Sequence, residues 1–308
     1  MDNSNSNRFH QPVLVRQVLE GLKIHQGRQY IDTTIGDGGH ALKIIEKGGW
    51  LLGIDRDADQ IERAKRRIER SITTLSYQTS TKPPKPRFVT GNFAALKAIC
   101  QREGFAHPFG ILFDLGVSSF QLDSTKLGLS FTADVKLDMR LDSQAQYSAK
   151  ELINNLTEEE LYEIFTRNAQ EELARPISQA IVNARSLKPI ATTAQLAQIV
   201  ANVKSKKIKS KLHPATKVFL ALRIEVNNEI ENLKLGLSQA VELLQAQGRL
   251  VVISFHETED RIVKRFFNKE KRKGEILIIN KKPITPETIE IHNNPRSRSA
   301  KLRIAQRI

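Results

Sequence analysis

Apolar and polar residues alternate along the first third of the chain in a pattern typical of strands joined by amphipathic helices. Four short, almost continuous apolar runs predict strands at residues 30–32, 50–55, 87–90 and 110–117. Ile61, Ala64 and Ile68 recur at spacings of three and four residues and predict a helix over residues 57–72. Strands buried on both faces have such continuous apolar sequences, so the pattern predicts a parallel α/β sheet.

The pattern changes between residues 124 and 212, where no segment resembles a strand. Capping-box spacing from Ser148 to Glu151 and from Thr157 to Glu160 predicts two helix starts. We therefore expect an inserted all-helical domain at residues 124–212, with residues 1–123 and 213–308 forming one α/β domain.

The α/β pattern returns after the insertion. It predicts, in order, a helix, a strand, a basic helix and two final strands, at residues 215–247, 248–255, 260–273, 275–280 and 300–305. The first of these helices is expected to be interrupted near Gly236. Pro283, Pro286 and Pro295 leave no room for a helix of normal length between the last two strands, so we expect these strands to pair antiparallel.

Length and composition exclude several classes of protein. The chain has 308 residues, 40% of them hydrophobic, which is enough for a core and argues against disorder. A single cysteine excludes a disulfide framework and a zinc site of the Cys-x-x-Cys type. No apolar run approaches the roughly 18 residues of a membrane helix, and the first seven residues lack the apolar segment of a secretory signal. We expect a soluble cytoplasmic protein.

The net charge of +14 is concentrated in the last third of the chain. Residues 1–200 carry a net charge of +2 and residues 201–308 carry +12. Such a surface favours a polyanion, because phosphate contacts release condensed counterions, although a solvated lysine-rich face would have the same composition.

The first segment that bears chemistry is the glycine-rich sequence of residues 32–40, which follows the first strand and precedes a helix. Glycines allow the backbone to approach a ligand, although an ordinary tight turn also uses them. Asp55 ends the second strand, where a carboxylate can accept both hydroxyls of a ribose. The two features together predict a nucleoside cofactor, either a nicotinamide dinucleotide or S-adenosylmethionine.

Two observations favour S-adenosylmethionine. The loop reads Gly-x-Gly-Gly and lacks the third glycine of the Gly-x-Gly-x-x-Gly pattern that usually holds a pyrophosphate. The expected antiparallel pair at the C-terminus is similar to the end of the seven-stranded sheet of S-adenosylmethionine-dependent methyltransferases. Asp114 lies in the carboxyl-terminal part of the predicted fourth strand, toward the edge where α/β sheets bind ligands.

With these segments, the chain resembles the MraW family, the bacterial 16S ribosomal RNA cytosine-N4 methyltransferases also called small-subunit methyltransferase H. The resemblance rests on stretches that follow in family order across nearly the whole chain: residues 10–14 (HQPVL), 32–40 (DTTIGDGGH), 55–57 (DRD), 114–119 (DLGVSS), 137–140 (LDMR), 213–216 (HPAT), 253–256 (ISFH), 259–266 (EDRIVKRF) and 294–303 (NPRSRSAKLR). It implies a Rossmann-like S-adenosylmethionine-dependent methyltransferase sheet with an antiparallel C-terminal hairpin, so that residues 1–123 and 213–308 form the methyltransferase domain.

The resemblance also implies a set of site residues. The cofactor contacts are Gly38, Gly39, His40, Asp55, Phe93, Asp114 and Gln121. The implied reaction transfers the methyl group of S-adenosylmethionine to N4 of a cytidine in the decoding region of 16S ribosomal RNA, with the small ribosomal subunit as partner and without a metal. Asp114 is the candidate catalytic residue, but it is followed by Leu-Gly-Val, where many amino-methyltransferases have Pro-Pro-aromatic, so it could serve the cofactor, the amine or both.

Other interpretations stay open at the level of sequence. Phe93 could simply pack in the core, and His256 and Ser254 could line the substrate pocket or be structural. For RNA, the candidate contacts are residues 204–211, 264–273 and 296–303, each of which could also be a solvated face. The chain could instead methylate DNA or a small molecule, or it could be a non-catalytic RNA-binding protein. A dehydrogenase is disfavoured by the loop and the final strand pair.

Overall fold

The computed structural model describes residues 11–76, 85–142, 145–204 and 213–308. Two predicted features therefore lie partly outside the described residues. They are the 10–14 motif, whose first residue is not described, and the basic stretch 204–211, of which residues 205–211 are not described.

Seven strands form one sheet in the order β3-β2-β1-β4-β5-β7-β6. The strands are β1 (Gln29–Asp32), β2 (Trp50–Asp55), β3 (Arg87–Thr90), β4 (Gly110–Asp114), β5 (Arg249–Ser254), β6 (Ile276–Ile278) and β7 (Lys301–Arg307). Strands β1 to β5 are parallel, and β7 pairs antiparallel with both β5 and β6. The predicted fold class and the antiparallel C-terminal pair are confirmed.

The described residues also form helices of very different lengths. They are α1 (Val15–Leu22), α2 (Gly39–Glu46), α3 (Ala58–Ser76), α4 (Leu96–Glu103), α5 (Ser119–Asp123), α6 (Ala149–Asn155), α7 (Glu158–Ala169), α8 (Ala174–Leu187), α9 (Thr193–Lys204), α10 (Thr216–Val226), α11 (Glu229–Leu243), α12 (Glu257–Arg272) and α13 (Thr288–Asn293). Within the described ranges, no helix combines the length and hydropathy that a membrane crossing requires.

The strands are buried on both faces, which explains their continuous apolar sequences. Along β1, Tyr30 belongs to the core on one face of the sheet and Ile31 to the core on the other. Leu51 and Leu52 divide in the same way along β2. Since β1 lies between β2 and β4, the direction of winding reverses beside it, and such a switch point is the usual ligand position in this class of sheet.

The chain divides by its contacts into two compact units. The first comprises residues up to Ser118 together with Glu231–Ile308, and the second comprises Ser119–Ile230. The second unit extends beyond the predicted insertion at residues 124–212, because α10 packs against α7 within it. Asn168 in α7 donates hydrogen bonds to the Ala221 carbonyl oxygen (3.1 Å) and to Glu225 Oε2 (2.8 Å).

The described part of the second unit is helical, as its sequence predicts. In the part of it that the structure describes there is no strand, only an isolated bridge between Lys136 and Thr192. Both predicted capping boxes are present, with Ser148 at the start of α6 and Thr157 at the start of α7.

The predicted interruption near Gly236 is wrong. The helical segment breaks instead at Asn227 and Asn228, where Asn228 has a φ of 50°. Asn227 stabilises this break, because its side chain accepts a hydrogen bond from the Leu141 N–H and donates one to the Met139 carbonyl oxygen. Gly236 lies inside α11, where a Cβ atom would come within 2.8 Å of Phe93 Cδ2. Glycine is therefore needed there for packing.

We expect Gly236→Ala to lower the free energy of unfolding by about 1–3 kcal/mol, because the added methyl group would overpack the Phe93 contact. Alanine has the higher helix propensity, so propensity alone would raise the free energy of unfolding. A decrease would therefore show that packing outweighs propensity at this position. Urea unfolding measures the change. The control is Ser238→Ala at an exposed position of the same helix. A stabilised Gly236→Ala variant would contradict the packing explanation.

Candidate functional site

Three neighbouring strands of the first unit each end in an aspartate. Asp32 ends β1, Asp55 ends β2 and Asp114 ends β4. Because β2, β1 and β4 are adjacent and parallel, the three carboxylates lie at the same edge of the sheet. We call this edge the carboxyl edge.

The loop after β1 is hydrogen-bonded to the strands on both of its sides. Toward β4, the Thr33 N–H and hydroxyl donate to the Leu112 carbonyl oxygen, and Thr34 Oγ1 accepts from the Asp114 N–H at 2.7 Å. Toward β2, the Ile35 N–H donates to the Ile54 carbonyl oxygen at 2.9 Å. The loop is therefore fixed by the strands that carry the aspartates.

The glycine at position 38 is required by both conformation and packing. Its φ is 75°, and a Cβ atom would lie 3.2 Å from the Ala64 side chain and 3.1 Å from that of Ile68 on α3. Beside it, Asp37 pairs with Arg63 of α3 at 2.8 Å. The loop can thus lie flat on α3, and α2 begins at Gly39 with the free N–H groups of its first turn at the loop.

Asp55 joins the loop to the start of α3. Its Oδ2 accepts from the Gly36 N–H and its Oδ1 from the Asp57 N–H, each at 3.0 Å. Burial raises the pKa of this carboxyl to about 6. Asp57 itself accepts from the Asp59 N–H, so it takes the cap position of α3 and leaves Asp55 at the edge. Each oxygen of Asp55 keeps a further lone pair for a hydroxyl donor.

His40 faces Asp114 across the carboxyl edge. The ring is almost fully buried, and its Nε2 lies 3.4 Å from Asp114 Oδ2. Among the described residues, neither His40 ring nitrogen nor Asp114 Oδ1 has a hydrogen-bond partner. Burial alone lowers the pKa of His40, but the carboxylates of Asp114, Asp32 and Glu290 outweigh it and raise that pKa above its ordinary value.

Asp32 is a member of the site that the sequence reasoning did not single out. It is buried, and burial raises the pKa of its carboxyl to about 7, with His40 opposing the shift and Asp114 adding to it. The signal was present, because Asp32 ends β1 as Asp55 ends β2 and Asp114 ends β4. Thr34, which accepts a hydrogen bond from the Asp114 N–H, lies in the 32–40 segment but was not singled out. Glu290, whose carboxylate raises the pKa of His40, carries no recognisable sequence signal.

Phe93 begins a short 3₁₀ turn after β3, at the same end of the sheet. Its ring meets that of Phe113 edge to face, with centroids 5.4 Å apart, and it packs over Gly236. The ring is only partly buried. Packing is thus one of its functions, and its contact with an adenine stays a prediction.

The remaining candidates fall elsewhere. Gln121 is buried within the second unit, and its role stays a prediction. His256 caps α12, since its Nδ1 accepts from the Glu259 N–H and its Nε2 lies 3.1 Å from Glu259 Oε1. Ser254 is buried at the end of β5 and its hydroxyl donates to the Lys301 carbonyl oxygen. These contacts give His256 and Ser254 structural roles.

Two predicted RNA contacts are buried in ion pairs. Lys204 Nζ lies 2.6 Å from Glu171 Oε2, and Arg303 Nε lies 2.7 Å from Asp260 Oδ1. Both cations are neutralised by buried carboxylates within their units and are not available to phosphates. The exposed cations of α12 are still candidates for contact with RNA phosphates. Those without an ion pair to any described residue are Lys264, Arg265, Lys269 and Arg272.

Comparison with known proteins gives one consistent family. The family model described as the MraW methylase family matches residues 7–308. A protein of Persephonella marina named ribosomal RNA small subunit methyltransferase H is 43% identical, with 97% of this chain and 99% of that protein covered. Proteins of the same name from Carboxydothermus hydrogenoformans and Thermomicrobium roseum are 38% and 42% identical. They cover 97% of this chain, and 98% and 94% of their own lengths.

The contact between His40 and Asp114 can be tested by titration. We expect the pKa of His40, followed by NMR, to lie above the ordinary value of histidine. It should fall in the Asp114→Asn variant, because the carboxylate of Asp114, which raises this pKa, is replaced by a neutral amide. Asp59→Asn, at an exposed position of α3, serves as the control and should leave the titration unchanged. Identical His40 titrations in the wild type and in Asp114→Asn would contradict the assignment.

Proposed function

The chain belongs to the MraW methylase family, and we propose that it transfers a methyl group from S-adenosylmethionine to N4 of a cytidine in 16S ribosomal RNA. The match over residues 7–308 carries this proposal, because the relatives are covered almost end to end and bear the name of a small-subunit RNA methyltransferase. The substrate proposed is the decoding region of the small ribosomal subunit, which implies a cytoplasmic location.

The carboxyl edge suits the proposed methyl donor. Asp55 offers two oxygens to the ribose hydroxyls, and Gly38, Gly39 and His40 bring the loop backbone to the ligand. His40 Nδ1 and Asp114 Oδ1 are buried and lack hydrogen-bond partners among the described residues, so they are groups that a polar ligand would satisfy. S-adenosylmethionine, when bound, supplies a methyl carbon activated by a positively charged sulfur.

The residues of this chain must then activate a poor nucleophile. The lone pair of the exocyclic amine of cytosine is delocalised into the ring. Asp114 Oδ1 can accept a hydrogen bond from that amine, which localises the lone pair, and can take the proton that the nitrogen loses once the new N–C bond has formed. His40 faces the other oxygen, Oδ2, at 3.4 Å and so orients the carboxylate.

The RNA requires a second, basic surface. The exposed cations of α12, which include Lys264, Lys269 and Arg272, are the candidates that the structure leaves available. Since a base within structured RNA is stacked, the target cytidine must be unstacked or lie in an open strand to reach the methyl group.

Methyl transfer to three substrates tests the proposal against its alternatives. The protein is incubated with labelled S-adenosylmethionine and with small ribosomal subunits, protein-free 16S RNA or DNA. We expect label in the RNA or the subunits, recovered as N4-methylcytidine. Label in DNA alone would indicate a different substrate. An absence of binding to S-adenosylmethionine in calorimetry would favour a non-catalytic RNA-binding protein.

We expect Asp114→Ala to lower the rate of methyl transfer at saturating S-adenosylmethionine by at least about 100-fold, because the acceptor of the amine proton is lost. The fold should persist, since the bond from the Asp114 N–H to Thr34 involves only the backbone at position 114. Thermal unfolding checks this, and Asp59→Asn is the matched control. A rate near that of the wild type would show that Asp114 does not serve the amine.

If α12 contacts RNA phosphates, its charges contribute to the salt dependence of RNA affinity. We expect removal of two α12 charges in the double variant Lys269→Gln, Arg272→Gln to reduce the slope of log affinity against log salt by about 0.7 per lost phosphate contact. Affinity is measured by filter binding to 16S RNA between low and physiological salt. The control double variant Lys65→Gln, Arg66→Gln removes two exposed charges from α3. Equal slopes for the two double variants would argue against α12.

A further inference from the structure

A cavity of about 370 Å³ opens at the edge of the sheet opposite to the carboxyl edge. We call it the amino-edge cavity. Its lining includes Lys23, His25, Arg28, Phe109, Arg249 and Gln306. These residues stand at the amino ends of β1, β4 and β5 and near the end of the antiparallel β7. Along β4, roughly 13 Å of strand separates this edge from Asp114, so the cavity is distinct from the proposed methyl-transfer site.

The lining is basic and contains no carboxylate. Lys23, Arg28 and Arg249 contribute three positive charges, and none of them forms an ion pair with a described residue. Nothing in the proposed methyl transfer uses these side chains. Lys23 and Arg28 are exposed, and Arg28 also donates a hydrogen bond to Gln245 Oε1 at 3.5 Å and lies 6.0 Å from the centroid of the Phe109 ring.

Arg249 gives the strongest indication of a ligand. Its side chain is partly buried, and its Nε is fully buried without a hydrogen-bond partner among the described residues. Burial lowers the pKa of its guanidinium. The arginines of the neighbouring strand are satisfied, because Arg303 pairs with Asp260 and Arg307 with Glu275, each at 2.7 Å. A buried donor without a partner is costly, and an anion would satisfy it.

The cavity is held open by fixed backbone. The Arg249 N–H donates to the Phe109 carbonyl oxygen, and the Phe109 N–H donates to that of Gln29. The Tyr30 hydroxyl accepts from the His25 N–H at 2.8 Å and donates to the Lys23 carbonyl oxygen at 3.2 Å. The segments that carry the cations are thus anchored to the sheet, and little reorganisation is needed to bind a ligand.

We propose that the amino-edge cavity binds a phosphate group. A phosphate is a compact anion with several acceptor oxygens, which matches a guanidinium fork flanked by further cations. The volume is at the lower end of the range for small-molecule sites and can hold a nucleoside monophosphate. The phosphate can come from a free nucleotide or from the backbone of RNA. Only the second source rests on the proposed function.

Calorimetry with small probes tests the phosphate chemistry. The probes are inorganic phosphate, uridine 5′-monophosphate and, as the control lacking phosphate, uridine, because cytidine is the proposed substrate of the carboxyl edge. If the source is a free nucleotide, the monophosphate should bind the wild type and uridine should not. Arg249→Gln should then weaken the binding by about tenfold or more, since a charge-assisted hydrogen bond is lost. Arg66→Gln, at an exposed position outside the cavity, should have no effect.

Filter binding with 16S RNA distinguishes the second source. If the cavity takes a backbone phosphate, Arg249→Gln should weaken RNA binding and reduce its salt slope by about 0.7, while Arg66→Gln should not. Arg28→Gln, which changes an exposed loop residue, gives the same comparison if Arg249→Gln fails to fold.

The proposal is overturned if the folded variants bind both the small probes and the RNA as the wild type does. Because every readout is binding, a failure of methyl transfer would leave these results unaffected.

Discussion

The contact between His40 and Asp114 is the interaction on which the carboxyl edge depends. Three aspartates end adjacent strands there, and burial raises the pKa of Asp32 to about 7 and that of Asp55 to about 6. Each binds its proton more tightly in the folded protein, so their ionisation reduces stability as pH rises from about 4 to about 7. The raised pKa of His40 acts with the same sign, because the stability from its charge is lost as pH rises through the folded-state pKa. At neutral pH, the buried carboxyl groups at this edge therefore lower the stability of the folded protein.

The same sheet serves two chemically opposite edges. Its carboxyl edge gathers acids around a loop fixed by hydrogen bonds to both neighbouring strands. Its amino edge gathers cations, with Arg249 at the start of β5. Because parallel strands put all their like ends together, one residue at each strand end is enough to create a site of one charge. Acids at one edge suit the proposed donor and amine, and cations at the other suit a phosphate.

Much of the fold and part of the site could be predicted from the sequence, for a physical reason. Strands buried on both faces have continuous apolar sequences, so the strands are visible in the sequence, and with them Asp55 and Asp114 near their carboxyl ends. The end of β4 was less clearly visible, because the apolar run continues to Val117 while the strand ends at Asp114. The role of Gly236 could not be predicted, because it is set by Phe93, which lies far away in the chain. Arg303 belonged to a basic run but is paired and buried. The amino-edge cavity is lined by residues as far apart in the chain as Lys23 and Gln306, so no local pattern reveals it.

The carboxyl edge is proposed to direct a methyl group to N4 of a cytidine in the small-subunit RNA. Nucleoside mass spectrometry can test this on 16S ribosomal RNA from a bacterium whose own methyltransferase of this family has been deleted and replaced by this chain. We expect N4-methylated cytidine to disappear on deletion and to return with the chain. No return of N4-methylated cytidine with the folded chain, or a methyl group returned to a different base, would contradict the proposal.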